Sequence, residues 1–399
     1  MNEMKDLSSL KVIILFCVLI GSVVLLSNVA NKLWGGKPET IPPTKELVIV
    51  EGMTVAEFGQ QNDIPNPVMK EILGLQSKID LQKKLEDFGL SHEQIKTKFD
   101  KSLTLKAEHE SKNWFKIPLK FSLWFAFLGV VFTLMRKNNI NSQTRKILYL
   151  TAVIIFGIIL GADPSPMGTV KDAVHLYGSK RVIFPPRMIA LSIFLFIVFL
   201  ANKFICSWGC QIGTLQDMLF RLNRNKKDTK GIIRQYKPAF AATNSIRVIF
   251  FVVFTIGAFI GATDIIDPID PFKIYKPAYI TGMGWLFIGS ILLLSLTVYR
   301  PWCQMFCPFG LVGWLVEKIS LFKVTVDYDS CISCEACAKA CPSTVMNAIL
   351  KRTHVIPDCF ACGTCLSICP TDSIKFQPGT RKMPPKDKFK DAGKEKDLS

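Results

Sequence analysis

The sequence predicts a multi-span α-helical membrane protein of about six transmembrane helices that ends in a small α+β domain. Three observations carry that expectation. Hydrophobic residues make up 49% of the 399-residue chain and charged residues only 20%, a balance tilted away from soluble domains. Six apolar stretches approach the length of about 20 residues that crosses a hydrocarbon core about 30 Å thick. Two cysteine runs of one spacing lie close together near the C-terminus.

The apolar stretches fall at residues 12–33, 115–134, 147–161, 188–204, 247–262 and 280–298. The first is too long for a signal peptide, and Asn28 and Ala30 make a poor cleavage site, so it reads as an uncleaved anchor. Short loops set the orientation. Arg136, Lys137, Arg145 and Lys146 lie between the second and third stretches with no acid among them. Arg221, Arg224, Lys226, Lys227, Lys230, Arg234 and Lys237 lie between the fourth and fifth against the single Asp228. Both loops are expected on the cytoplasmic side of an inner membrane, with both termini cytoplasmic. Asp163, Asp264, Asp267 and Asp270 mark the opposite face, where Lys171, Lys180, Arg181 and Arg187 conflict with the rule. This arrangement puts every cysteine except Cys17 at or beyond the cytoplasmic side, the reducing compartment.

Five regions follow: an anchor over 1–33, an outer helical module over 34–113, a five-span core over 114–320, the α+β domain over 321–378 and a disordered basic tail over 379–399. The outer module opens with a linker, Lys37-Pro38 to Pro42-Pro43, followed by two similar helix–turn–helix units over 55–73 and 81–99. Their turns read Phe58-Gly59 then Ile64-Pro65, and Phe88-Gly89 then Leu90-Ser91. In the α+β domain, 324–327, 354–356 and 374–376 read as strands and 344–350 as a helix.

The two cysteine runs carry the chemistry. Cys331, Cys334, Cys337 and Cys341-Pro342 are followed by Cys359, Cys362, Cys365 and Cys369-Pro370. Each reads C-x-x-C-x-x-C-x-x-x-C-P, which sends three thiolates to one [4Fe–4S] cluster and the fourth to its neighbour. Crossed ligation assigns Cys331, Cys334, Cys337 and Cys369 to a first cluster and Cys359, Cys362, Cys365 and Cys341 to a second, making a bacterial-type two-cluster ferredoxin domain.

A second set of thiols lies in a duplicated hairpin. The third and fourth spans end in Cys206-Ser207-Trp208-Gly209-Cys210-Gln211-Ile212-Gly213, and the fifth and sixth in Cys303-Gln304-Met305-Phe306-Cys307-Pro308-Phe309-Gly310. Three readings stay open for Cys206, Cys210, Cys303 and Cys307: a third metal centre of iron and sulfur at the membrane surface, a redox-active thiol, copper or zinc site, and a structural role without metal. The glycines serve a turn and tight packing. Trp302, Trp314 and Arg300 are candidates for a quinone or partner pocket, or for an interfacial aromatic belt.

Together these features resemble the NapH/NosR-type membrane ferredoxins, a group that includes the cytochrome-oxidase assembly protein CcoG. The likeness covers residues 147–377: the two Cys-x-x-x-Cys exits, the Asp-Pro outer turns and the eight cluster cysteines. It implies quinol-linked electron transfer, or metal-centre maturation, in service of an enzyme on the outer face. The first membrane motif has Gln211 where the second has Pro308, and no Ser/Thr-Gly-Ala-Thr flavin-attachment motif is present.

The expected function is therefore a membrane-bound iron–sulfur electron carrier linking its clusters to the quinone pool or to redox partner proteins. The alternatives are a copper-reducing maturation factor and an iron–sulfur redox sensor. The net charge of +17 lies beside apolar spans, in contact with lipid headgroups, so nucleic-acid binding is not expected. His92, His109, His175 and His354 lie outside the spans, which leaves no paired histidines for a membrane haem. No nucleophile–base constellation points to hydrolysis.

Overall fold

The computed structural model describes residues 2–33, 47–50, 52–75, 77–88, 94–95, 97–99, 102–103, 116–162, 165–181, 183–225, 227–386 and 388–389. Helix α1 (Asn2–Leu33) is apolar on most of its faces and packs Val12 and Val23 into the core. The linker prolines, Gly89, Leu90, Ser91, Asp163 and the last ten residues lie outside the described set.

Residues 47–103 have a core of their own around Val55, Phe58, Met69, Leu85, Ile95 and Phe99. Helix α2 (Val55–Gln61) starts at a capping box in which Thr54 and Glu57 satisfy each other's backbone amides. Helix α3 (Asn66–Leu73) stops at Gly74, whose φ of 69° suits glycine. The expected helix at the start of the second unit is instead two 3₁₀ turns, Lys78–Gln82 and Leu85–Phe88. Carboxylates of Asp80 and Asp87 accept from the amides of Ser77 and Lys84, and such local bonds compete with an α ladder.

The helical core begins with α4 (Lys116–Arg136) and α5 (Ser142–Ala152), which runs on as a π turn over Val153–Ile159. Then come α6 (Pro166–Lys180), α7 (Pro185–Ala201), α8 (Phe204–Trp208), α9 (Gln211–Leu222) and α10 (Phe240–Ile260). Helices α11 (Gly282–Leu294), α12 (Pro301–Met305) and α13 (Pro308–Glu317) complete it. Among the described residues, four segments are long and apolar enough to cross a membrane: Ser9–Leu33, Lys116–Arg136, Ser142–Ile159 and Phe240–Ile260. Pro185–Ala201 and Gly282–Leu294 are apolar but shorter. The fifth expected span begins seven residues earlier than hydropathy placed it, at Phe240. Arg247, read as its polar edge, is buried inside the bundle and paired with Asp358 at 2.8 Å.

After α7 and again after α11 the chain reverses and re-enters the bundle. The reversals pass through Asn202 and Arg300, with φ of 62° and 50°, then the short helices α8 and α12, then α9 and α13. The second pass repeats the first: Cys210 caps α9 by accepting from Gly213 N–H at 3.4 Å, and Cys307 caps α13 by accepting from Gly310 N–H at 3.3 Å.

Two long helices show how deep these loops lie. Trp124 Nε1 donates to the Gly209 carbonyl at 2.9 Å. Eight residues separate Trp124 from one end of α4 and twelve from the other, about 12 and 18 Å at helical rise. Phe250, midway along α10, packs on Phe306 at 5.3 Å and Trp302 at 6.5 Å between ring centres. That leaves about 15 Å of helix on either side. The Cys-x-x-x-Cys motifs thus pack beside the middle of α4 and of α10. Apolar runs mark where a chain enters lipid, and they carry no sign of a short helix that turns back inside.

The C-terminal domain pairs β1 (Phe322–Val326) with β2 (Ile374–Pro378) antiparallel, Val324 facing Phe376. Between them lie α14 (Ala336–Ala340), α15 (Val345–Lys351) and α16 (Thr364–Ile368). Residues 354–356 form no strand; the Val355 carbonyl accepts from the Thr353 hydroxyl at 3.1 Å and the Ile356 carbonyl from Trp314 Nε1 at 3.5 Å. The tail is ordered in its first part. Arg381 Nε donates to the Val324 carbonyl at 3.0 Å and Phe389 is buried beside Tyr328.

On the opposite face, Lys171 pairs with Asp264 at 2.9 Å and Arg187 with Asp172. These pairs neutralise two of the basic residues that conflict with the charge rule. Gly157 in the π turn leaves room for the ring of Tyr275, whose hydroxyl donates to the Gln211 carbonyl at 3.1 Å. A Cβ at Gly157 would collide with that ring. Gly157→Ala should therefore lower stability by about 1–3 kcal/mol, seen as an earlier thermal transition in detergent. An unchanged transition would show that Tyr275 is not seated there.

Candidate iron–sulfur sites

In each ferredoxin run, left-handed residues bend the backbone between cysteines at matching positions: Ser333 and Glu335 in the first, Ala361 and Gly363 in the second. Alternation of this kind turns successive amides toward one concavity, which favours an anionic group. The third cysteine of each run sits on a short helix, Cys337 on α14 and Cys365 on α16, and the fourth ends it.

Two hollows result. One, partly open, is lined by Cys341, Cys359, Cys362 and Cys365 with Tyr299 and Phe360. The other is lined by Cys331, Cys334, Cys337 and Cys369 with Phe389. Each takes three cysteines from one run and one from the other. Among the described residues no three His, Cys, Asp or Glu side chains converge as a single ion requires. Four thiols spread around a hollow suit a cubane instead, since each meets a different iron. Burial pushes the Cys337 thiol up to about 12, so binding iron there releases a proton.

The ferredoxin domain is docked through charge. Asp358, beside Cys359, accepts from Lys203 at 2.7 Å and Arg247 at 2.8 Å. Cys359 N–H donates to Glu317 at 3.0 Å, and Trp208 Nε1 donates to the Ala361 carbonyl at 3.1 Å. Arg145 reaches the Cys362 carbonyl at 3.0 Å and Asp228 at 2.6 Å. Arg221 binds Asp217, Asp228 and the Thr364 hydroxyl. Arg224 Nη2 donates to the Ala340 carbonyl at 2.9 Å. The basic residues expected to set topology thus also hold the cluster loops in place.

This junction buries the cations Arg145, Lys203, Arg221, Arg224, Arg247 and Arg300 against Asp217, Asp228, Asp358 and Glu317. Positive charge is in excess by two.

The four cysteines of the Cys-x-x-x-Cys motifs are all buried. Cys303 Sγ faces Gln216 Oε1 at 3.6 Å. A Cβ at Gly310 would stand 2.6 Å from the Cys303 carbonyl, and one at Gly213 would meet the Cys206 carbonyl. The glycines therefore serve tight packing, as expected. Trp302 and Arg300 are core residues, neither belt nor open pocket: both are buried, and Arg300 binds Asp217 at 2.6 Å and the Cys206 carbonyl. Trp314 Nε1 points to the Ile356 carbonyl at 3.5 Å. Sequence reasoning missed Asp217, Asp358, Phe360 and Gln216. A signal for Asp217 existed in its i, i+4 spacing from Arg221 within an apolar helix.

The chain matches the model described as "4Fe-4S dicluster domain" over residues 323–370, and that described as "4Fe-4S binding domain" twice, over 183–230 and 280–326. The double match coincides with the two re-entrant passes. YccM of Escherichia coli K12, a protein named for electron transport, is 26% identical over 177 residues, covering 42% of this chain and 49% of that protein. The match thus spans about half the length of that relative. MJ0749 of Methanocaldococcus jannaschii, an uncharacterized protein, is 23% identical over 232 residues, covering 57% of this chain and 82% of its own. No solved structure matches significantly. The chain therefore carries 4Fe–4S cluster-binding domains and is related to an electron-transport protein, with several helices apolar enough for a membrane.

Removing Asp358 leaves Lys203 and Arg247 buried without their shared carboxylate. Asp358→Asn is expected to cost about 3–5 kcal/mol and to expose the 322–378 domain to limited proteolysis. Proteolysis and melting equal to the unaltered protein would show that this pairing does not hold the junction.

Proposed function

We propose that this chain is a membrane-bound electron carrier of the inner membrane, with both termini cytoplasmic, that holds two [4Fe–4S] clusters in its C-terminal domain. Cys331, Cys334, Cys337 and Cys369 hold the first; Cys359, Cys362, Cys365 and Cys341 hold the second. The observation that carries this reading is the pair of hollows, each lined by four cysteines in the crossed combination.

Such clusters supply one-electron transfer with little rearrangement. The protein's own groups do the rest. Cys334 is exposed, which gives a cytoplasmic redox partner an approach to the first site. The second site faces Tyr299 and the helical core, which directs electrons toward the membrane. There they are exchanged with the quinone pool or with a partner serving an enzyme on the outer face, in keeping with a relative named for electron transport. Burial of all four membrane thiols favours a resident centre over a site that hands metal to another protein, which needs access.

The double variant Cys334→Ser/Cys362→Ser, purified anaerobically, is expected to lose the broad absorbance near about 400 nm contributed by the ferredoxin domain, together with quinone-linked reduction in membranes. Quinone-linked reduction that persists without these clusters would reject the proposal.

A further inference from the structure

We propose that the C-terminal strap, residues 379–389, closes one side of the first iron–sulfur site, and that Phe389 shields its cluster from water and oxygen so that a single edge stays open at Cys334. The proposal rests on the ferredoxin reading above and adds a residue outside the cysteine runs. The segment matched as a dicluster domain ends at residue 370, so the strap lies beyond it.

The two cysteine hollows are closed in different ways. The second is covered from the helical core by Tyr299. The first is lined by residues within 331–374 and by one residue from elsewhere, Phe389. Among the described residues, none of the helical core lines it. Cover for this hollow comes from the tail.

The strap is tied down along its length. Gly379, at a φ of 124°, turns the chain out of β2, and its N–H donates to the Leu321 carbonyl at 3.3 Å. Arg381 Nε holds the Val324 carbonyl at 3.0 Å. A turn closes where Lys388 N–H donates to the Pro385 carbonyl at 3.3 Å, and Lys388 Nζ donates to the Tyr328 carbonyl. These bonds deliver Phe389, only 5% exposed, edge-on to the Tyr328 ring at 6.4 Å between centres. Tyr328 is itself fixed, its hydroxyl donating to the Leu350 carbonyl at 3.0 Å. Leu350, Pro370 and Ile374 line the same hollow as Phe389.

Composition places the whole seal on one ring. Phe389 is the only aromatic residue after Phe376. Ordering the strap costs conformational entropy, which its few apolar contacts must help to offset. Its cations Arg381, Lys382, Lys386 and Lys388 stand against the single Asp387, a balance suited to a site ringed by thiolates. The strap leaves open the edge formed by Ile332, 62% exposed, and Cys334. Electron exchange with a cytoplasmic redox partner is thereby confined to that edge. Solvent exposure helps to set the potential of such a cluster, and excluding water disfavours its reduced, more negatively charged form.

The test compares anaerobically purified full-length protein with its Phe389→Ala and Phe389→Leu variants. Each is exposed to air with a ferrous chelator while iron release is followed. In Phe389→Ala the iron of one cubane, about four atoms, is expected to leave several-fold faster than in the unaltered protein, and the rest at the unaltered rate. A redox titration followed by EPR should show one midpoint raised and the other unmoved. Phe389→Leu, which keeps an apolar cover, should restore slow release. Equal release from the alanine variant and the unaltered protein would overturn the seal and leave the ferredoxin reading intact. Faster loss of all the iron together would also overturn it, since that marks a general loss of stability. Unaltered protein without iron would reject both readings. Should the alanine variant fail to assemble its clusters, trypsin cleavage of the unaltered protein decides: slow cutting after Lys386 and Lys388 supports the strap, and rapid cutting there overturns it.

Discussion

The fold depends on a charged junction buried between the helices and the C-terminal domain. Asp358, next to a cluster cysteine, sits between Lys203 and Arg247, which come from two different helical segments. Bringing such groups out of water is costly unless every one is paired. Here the cost is offset by a network in which arginines bind carboxylates with one arm and ferredoxin carbonyls or hydroxyls with the other. The result is a ferredoxin domain set into the end of a helical bundle, with its second cysteine hollow turned inward. The residues that dock the domain, Asp358 and the Cys362 carbonyl among them, lie in the same loop as the cysteines of that hollow.

Duplication gives the core its geometry. Two passes with the same plan, each an apolar helix, a turn through a residue of positive φ, a short helix and a cysteine-capped second helix, meet so that each braces the other. The exchange of Arg300 and Lys203 between passes ties them together, and tight contact at Gly213 and Gly310 brings backbone close to backbone. Re-entry packs the motifs beside Trp124 and Phe250, which lie far from either end of their helices.

Much of this was legible in the sequence. The cysteine spacing predicts which four residues share a hollow, because the gaps are too short for any but a local loop, and the fourth cysteine follows a helix that carries it to the neighbouring hollow. Helix α15 and the strands β1 and β2, though not their pairing, followed from periodicity. What stayed hidden was whatever depends on a partner far along the chain. Arg247 looks like the edge of a span because hydropathy weighs a residue without its partner, and Asp358 is 111 residues away. Arg145 and Arg221 look like topology signals for the same reason. Phe389 lies in a stretch whose composition reads as disordered, yet one buried ring anchors it against Tyr328. Short re-entrant helices, only five residues long in α8 and α12, fall below any periodic signal.

The most direct test of the central claim is a density map of the anaerobically purified holoprotein in a lipid nanodisc, with the metal centres located. The account predicts the 358–365 loop buried among Lys203, Arg247 and Arg300, with its cluster at the inner end of the helices. A ferredoxin domain standing clear of the bundle, with those cations paired elsewhere, would contradict it.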